Sequence, residues 1–297
     1  MRVIISGSSG LIGTALTNSL RADGHTVIPL VRREARREIE SSWDPAAHQI
    51  DFDVIASADV VVNLAGASIG GKRLTDSYKR VVKQSRLDST ATIAGAIAAA
   101  NPAVLLLQGS SMGYYGDRGT TRLTEDLPPG DGFLAEVSRD WEAAAAPAVE
   151  AGAKVAYLRT GLVLAGHGGF AERLIPLVKR SLLRSLGSSD ALQSWISLDD
   201  EVRAMRLLMD KRHEGPANLV APKPATMAQI IGALAHAFGS HRGFTVPSWA
   251  LRVVVGEAAD DLLSSQAGVP GALTSLDFEW SHPTLEAVAR YVAEDAR

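Results

Sequence analysis

Short continuous apolar runs recur along the 297-residue chain, separated by longer stretches in which apolar positions return every three or four residues. Such runs fall at 3–5, 60–64, 104–107 and 155–158, and 26–30 and 216–220 read as two further strands. Runs of that length without polar alternation predict strands buried on both faces, as in a parallel sheet covered by helices. The periodic stretches predict the helices between them: one from Leu11 to a stop at Gly24, one at roughly 77–100 closing at Asn101 and Pro102, and one at roughly 133–151 that Pro147 bends or breaks near its end. Thr226 reads as the N-cap of a helix running to Phe238, and Pro283 with Thr284 as the start of the last one. Strand and helix thus alternate down to about Gly166, which predicts an α/β fold built on a doubly wound parallel sheet with right-handed crossovers. Beyond Gly166 the pattern turns to a Gly-rich loop, an amphipathic basic helix and shorter elements. The expected organisation is a dinucleotide-binding domain over 1–165 and a smaller substrate-side lobe over 166–297, with 195–225 returning to the first domain.

The chemistry concentrates where the first run ends. Gly7, Gly10 and Gly13 stand between the first strand and the first helix. A strand-to-helix turn of that kind suits a dinucleotide pyrophosphate. It needs one residue free to take positive φ, it brings backbone close to phosphate where a Cβ would intrude, and the helix start offers unpaired N–H groups with partial positive charge. Ser9, Leu11 and Ile12 complete this candidate contact set, and Ser6 and Ser8 add hydroxyls. About 20 residues further on, an NAD site usually offers a carboxylate to the ribose 2′-hydroxyl. This chain has Arg32 and Arg33 instead, and a guanidinium suits a 2′-phosphate, so NADP(H) is expected over NAD. The plainer alternative places both arginines in a solvated charged patch with Glu34, Arg36, Arg37 and Glu38.

Composition narrows the classes further. Charged residues make up 21% and hydrophobic ones 46%, as in an ordinary globular protein, and a formal net charge of −3 gives no reason to expect nucleic acid or an anionic membrane as partner. The chain has no cysteine, which excludes disulfides, thiolate nucleophiles and Cys-ligated metals and fits a reducing cytoplasm. Strand one begins at the N-terminus, so no signal peptide is expected, and no apolar run has the length of a membrane span. The seven histidines show no metal-ligand spacing, and no metal is expected.

The landmarks GSSGLIG, NLAG, SSMGYYG, LRTGLVL and SWISLDD, in that order, resemble the extended short-chain dehydrogenase/reductase family over essentially the whole chain. WDP at Trp43, NLAGASIGGKR from Asn63, GDGFLAEVSRDWE from Gly130 and the closing FEWSHPTLEAV resemble one subfamily, the nucleoside-diphosphate-sugar epimerase-like proteins with a short C-terminal domain of uncharacterised function. The resemblance implies a Rossmann-type sheet domain with NADP(H), a smaller C-terminal substrate lobe, and a monomer or homodimer. It also implies cofactor contacts from Leu64, Ala65 and Gly66 after the third strand, from Ser110 after the fourth and from Arg159 after the fifth.

The same resemblance exposes departures. The family's tyrosine acid/base and its lysine fall on Leu134 and Ser138, neither of which can do that work, while the upstream serine survives as Ser111. Met112 and Gly113 replace the acidic pair of family dehydratases, and Gln193 with Ser194 stand where sugar-nucleotide enzymes carry an arginine. Ser111 and Tyr114 are therefore the expected catalytic residues, with Tyr115 and His167 as further proton-donor candidates. Lys72 and Arg73 face either an anionic substrate or solvent, Arg86 reads as a surface salt-bridge residue, and Glu125 as loop solvation. Two functions stay open: an NADP(H)-dependent oxidoreductase or epimerase acting on a small carbonyl, carbinol or nucleotide-sugar-like substrate, or a non-catalytic NADP(H)-binding redox sensor.

Overall fold

The computed structural model describes residues 1–36, 39–69, 72–186, 190–240, 244–246 and 264–297. The first half runs β1 (Arg2–Ser6), α1 (Leu11–Ala22), β2 (Thr26–Val31), β3 (Ser41–Ser42), α2 (Phe52–Ala56), β4 (Val60–Asn63), α3 (Asp76–Ala100), β5 (Leu105–Ser111), β6 (Arg122–Leu123), α4 (Phe133–Ala143) and α5 (Ala146–Glu150). The second runs β7 (Val155–Thr160), β8 (Leu162–Leu164), α6 (Gly169–Lys179), β9 (Leu183–Leu186), β10 (Leu192–Gln193), β11 (Trp195–Ser197), α7 (Leu198–Asp210) and β12 (Gly215–Leu219). The remainder is β13 (Ala225–Thr226), α8 (Met227–Ala237), β14 (Phe244–Val246), β15 (Ala267–Gly268), α9 (Gly271–Ser275) and α10 (Leu285–Asp295).

Each apolar run becomes a strand of one seven-stranded sheet of order β12-β7-β5-β4-β1-β2-β3, parallel throughout. Side chains of successive strand residues point to opposite faces, so a run without polar breaks must be covered twice. Val3, Ile5, Val60, Val62, Leu105 and Leu107 pack on one face with Leu16 and Leu20 of α1 and Met205 and Leu208 of α7. Ile4, Val61 and Leu106 pack on the other with Ile93 and Ile97 of α3 and Ala148 of α5. The two-residue β3 has no apolar run behind it and escaped the hydrophobic pattern. The expected 133–151 helix is two helices, α4 and α5. Pro147 sits in the first turn of α5, where its missing N–H costs nothing, and the chain breaks just before it.

Three polar side chains tie the carboxyl ends of β1 and β4 to the middle of β5. Ser6 Oγ donates to Asn63 Oδ1 at 2.6 Å, and Asn63 Nδ2 donates to Gln108 Oε1 and to Thr90 Oγ1 of α3, each at 3.0 Å. All of them are buried, and the exchange of bonds locks the three strands in register. A separate apolar cluster joins Leu164, Ile175, Trp195, Ile230 and Leu234 to Val288 and Val292 of α10. Gln193 and Ser194 dock the C-terminal part on this region: Gln193 Nε2 donates to the Ser264 carbonyl at 2.7 Å and Ser194 Oγ to that of Gln266 at 2.6 Å. No helix among the described residues is long and apolar enough to cross a membrane.

Candidate active-site cleft

Gly7 has φ of +72°, and a Cβ there would meet the Leu64 carbonyl oxygen at 2.6 Å. At Gly13 it would lie 2.3 Å from the Gly7 carbonyl oxygen. The glycines thus let α1 start hard against the strand ends. The N-cap of α1 is Gly10, which offers no side-chain cap, so the first-turn N–H groups stay available to a ligand. A cleft of about 350 Å³ opens in front of them, lined by Gly7, Gly10, Leu11, Ile12, Gly13 and Leu64 at this end.

The far end is lined by Ser110, Ser111, Leu134, Val137, Ser138, Trp141, Thr160 and Gly161. Ser111 closes β5 and Thr160 closes β7, and the two are register partners on neighbouring strands, roughly 5 Å apart as strand spacing requires. Ser111 Oγ accepts from Gly113 N at 2.9 Å, which leaves its hydrogen free to donate. Leu134, Ser138 and Trp141 lie along one face of α4 by their i, i+4, i+7 spacing. A Cβ placed on Gly113 would stand 3.0 Å from Ser111 Oγ and 3.1 Å from Leu134 Cβ, so only glycine fits between the serine and the leucine.

Several expected site residues are elsewhere. Tyr114 is not among the cleft-lining side chains: its ring carries the Arg159 guanidinium 3.6 Å from the centroid, and burial raises its pKa. Tyr115 is fully buried, donates to Asn218 Oδ1 at 2.8 Å and accepts from Arg159 at 2.8 Å, and burial pushes it up to about 12. Neither tyrosine is placed to give a proton to the cleft. Arg159 is also not a cleft residue. It makes a bidentate pair with Glu142 at 2.9 and 3.0 Å, and Glu142 accepts from Ser110 Oγ at 2.6 Å. Strand alternation sends Arg159 to the face opposite Thr160, which is why one is tied up behind the wall and the other lines it. His167 bonds Asp295 at 2.8 Å on an exposed surface, and Lys72 and Arg73 are exposed outside the cleft. Glu125 is no solvating loop acid; its Oε1 accepts from the backbone of Asn218 at 3.1 Å and of Ala272 at 3.0 Å.

The cations divide differently from the sequence reading. Arg33 forms a bidentate pair with Glu40 at 2.9 and 3.0 Å, whereas Arg32 is exposed with no side-chain hydrogen bond among the described residues. Arg37 and Glu38 lie outside the described residues. Ser9 is exposed beside the glycine turn, Ala65 N donates to Asn63 Oδ1 at 3.3 Å, and Gly66 is pressed against Arg86. Arg86 itself is 8% exposed and lines the cleft, with no carboxylate partner among the described residues. It donates to the carbonyls of Ala67 and Val82 at 2.9 and 3.0 Å and lies 4.9 Å over the Trp141 ring. Burial pulls its pKa down to about 10. A surface salt bridge was the wrong expectation. The signal was present, since Arg86 shares the buried stripe of α3 with Val82, Ser89, Thr90 and Ile93.

Residues 3–221 match the NAD dependent epimerase/dehydratase family. The chain belongs to that family. Residues 246–292 match a domain of unknown function, DUF1731. An epimerase family protein of Mycobacterium bovis is 39% identical over 291 residues, covering 97% of this chain and 96% of its own. The human epimerase family protein SDR39U1 is 31% identical over 298 residues, 98% of this chain and 99% of its own. Its crystal structure with NADPH (isoform 2) superposes with a TM-score of 0.88 at 28% identity, over 99% of this chain and 100% of that one. A nucleoside-diphosphate sugar epimerase of Corynebacterium glutamicum gives a TM-score of 0.81 at 34% identity, over 99% of this chain and 59% of that one. These family members carry the same Rossmann-type sheet with a smaller C-terminal part, as expected from the landmarks of the sequence.

Proposed function

We propose that the chain binds NADP(H) in this cleft and acts as an oxidoreductase or epimerase on a small carbonyl, carbinol or nucleotide-sugar-like substrate. One observation carries the reading: an uncapped helix start behind a glycine turn opens into the same cleft as Ser111 and Thr160, which end adjacent central strands. Gly7, Gly10 and Gly13 give the pyrophosphate close backbone approach at the positive end of α1. Leu11, Ile12 and Leu64 form the surrounding wall, with Ser9, Ala65 and Gly66 in the adjoining turns, and Arg86 adds a guanidinium with no carboxylate partner among the described residues. Arg32 is an exposed cation available for a 2′-phosphate. The human relative's structure with NADPH supports the choice of cofactor.

A nicotinamide bound here would supply or take a hydride. Ser111 hydrogen-bonds the reacting oxygen with the hydrogen that its own contact to Gly113 leaves free. Leu134 and Trp141 exclude water on that side. Ser111→Ala is expected to slow NADPH oxidation by a carbonyl substrate roughly tenfold or more while leaving NADPH affinity unchanged; an unchanged rate removes Ser111 from the reaction. One observation favours the second reading, a cofactor-binding sensor without turnover: Leu134 and Ser138 line the cleft where the family's acid/base pair belongs. Assay against carbonyl compounds and sugar nucleotides separates the two, since the sensor oxidises NADPH with none of them.

A further inference from the structure

Thr160 lines the cleft, and behind it stands a side chain that the site does not otherwise use. Glu201, in the first turn of α7, is completely buried and pairs with Thr160 Oγ1 through Oε1 at 2.8 Å. Its second oxygen, Oε2, is buried with no hydrogen-bond partner among the described residues. An ionised carboxylate would not leave one oxygen bare in an apolar core; a carboxylic acid does so at far lower cost. Thr160 continues the face of β7 on which Ala156 and Leu158 pack against Met205 and Leu208 of α7, so the acid is held between sheet and helix.

We propose that Glu201 is the proton store of this site and serves the cleft through the Thr160 hydroxyl. The proposal rests on the oxidoreductase reading and supplies the donor that Leu134, Ser138 and the two tyrosines do not. In the acid form, the Oε1–H bond points to Thr160 Oγ1, which frees the threonine's own hydrogen for an oxygen in the cleft. Transfer breaks the Glu201 O–H bond and forms one on Thr160, while the threonine's former O–H bond breaks and a new one forms on the cleft oxygen. No electron changes hands, and the carboxylate regains its proton from solvent by the reverse path. In the ionised form Thr160 donates to Oε1, and the hydrogen is withdrawn from the cleft.

The charged neighbours leave this proton alone. On its own helix, Asp200 accepts from Arg203 and from the backbone of Ser281 and His282, and Arg206 pairs with Asp23 at the end of α1. Tyr157 and Arg159 of β7 lie on the opposite strand face by alternation, and β5, β8 and β11 bring no titratable group. Burial alone pushes the Glu201 pKa up, to about 8, with the Thr160 hydrogen bond opposing it. An acid of that strength is matched to proton transfer near neutral pH.

The test uses the full chain without cofactor, by infrared spectroscopy, with the carboxylic-acid C=O band identified by its loss in Glu201→Gln. The band should be present below neutrality and titrate away with a midpoint near 8. On transfer to D2O its shift should be about tenfold or more slower in Thr160→Val than in the wild type, and Thr160→Ser should restore it. Absence of a protonated-carboxyl band near pH 6, where ordinary carboxyls are ionised, overturns the proposal whether or not the variants fold, and equal exchange in wild type and Thr160→Val overturns the relay. A chain that shows the band and the exchange but reduces no substrate refutes the oxidoreductase reading and leaves the store in place. With a working substrate, Glu201→Gln should slow turnover and flatten the loss of rate above pH 8 without changing NADPH affinity; an unaltered profile counts against the store.

Discussion

Removing the titratable proton of Glu201 should change how stability depends on pH, by an amount the burial of this residue sets. In the unfolded chain its carboxyl has the ordinary value of 4.5, and in the native protein burial holds it at about 8. Between those values the native state keeps a proton that the unfolded state has released. Unfolding therefore becomes easier as pH rises, by about 1.4 kcal/mol per pH unit. The penalty is absent below 4.5, grows through neutrality and levels off above 8. Summed over that window it reaches several kcal/mol, with roughly 4 to 5 as a ceiling. Glu201→Gln removes the titration and keeps an oxygen for Thr160. Its amide has no partner where Oε2 sits, which subtracts a pH-independent amount of about 1 to 3 kcal/mol. The difference in unfolding free energy between variant and wild type, measured by urea titration from about pH 5 to 8, should thus shift steadily in the variant's favour as pH rises. Groups elsewhere cancel in that difference. Parallel curves would refute the reasoning, because they would mean that Glu201 ionises alike in both states.

Three further outcomes follow from the cleft walls. Glu142→Ala leaves Arg159, 3% exposed, without its counter-charge and should cost about 3 to 5 kcal/mol in denaturant unfolding; a loss under about 1 kcal/mol would show the pair to be solvated. Arg86→Met removes a buried charge that has no acidic partner among the described residues, so the fold should keep its stability while NADPH affinity falls about tenfold; calorimetric titration checks this, and unchanged affinity would place the guanidinium outside the ligand's reach. Arg32→Ala should lower the preference for NADPH over NADH more than Arg33→Ala does, because only Arg33 is held by Glu40; equal effects would mean that the Glu40 pair opens on binding.

Much of this fold was written in residue types. The glycine turn was legible because positive φ at Gly7 and the contact of Gly13 with the Gly7 carbonyl exclude side chains, and a sequence records such exclusions directly. The sheet strands were legible because a strand covered on both faces is mostly apolar, with buried polar side chains such as Asn63 and Gln108 kept for bonds between strands. Arg159 and Tyr114 were misplaced for the opposite reason. Both stand next to strand ends that reach the cleft, and what ties them up, Glu142 and each other, lies far along the chain where no local pattern announces it. Arg86 and Glu201 lie between these cases. Each is a charged residue on the apolar stripe of its helix, Glu201 four before Met205 and seven before Leu208, so the helical period marks both as buried. What the period does not tell is that neither has a charged partner among the described residues.

The central claim is that this cleft is an NADP(H) site, and the fluorescence of the reduced nicotinamide measures it most directly. Titrating the full chain with NADPH and with NADH in parallel should give saturable binding of both, with NADPH tighter by about tenfold or more, as one charge-assisted contact to the 2′-phosphate requires. Equal affinities would show that Arg32 points to solvent, and no saturable binding of either nucleotide would contradict the account itself.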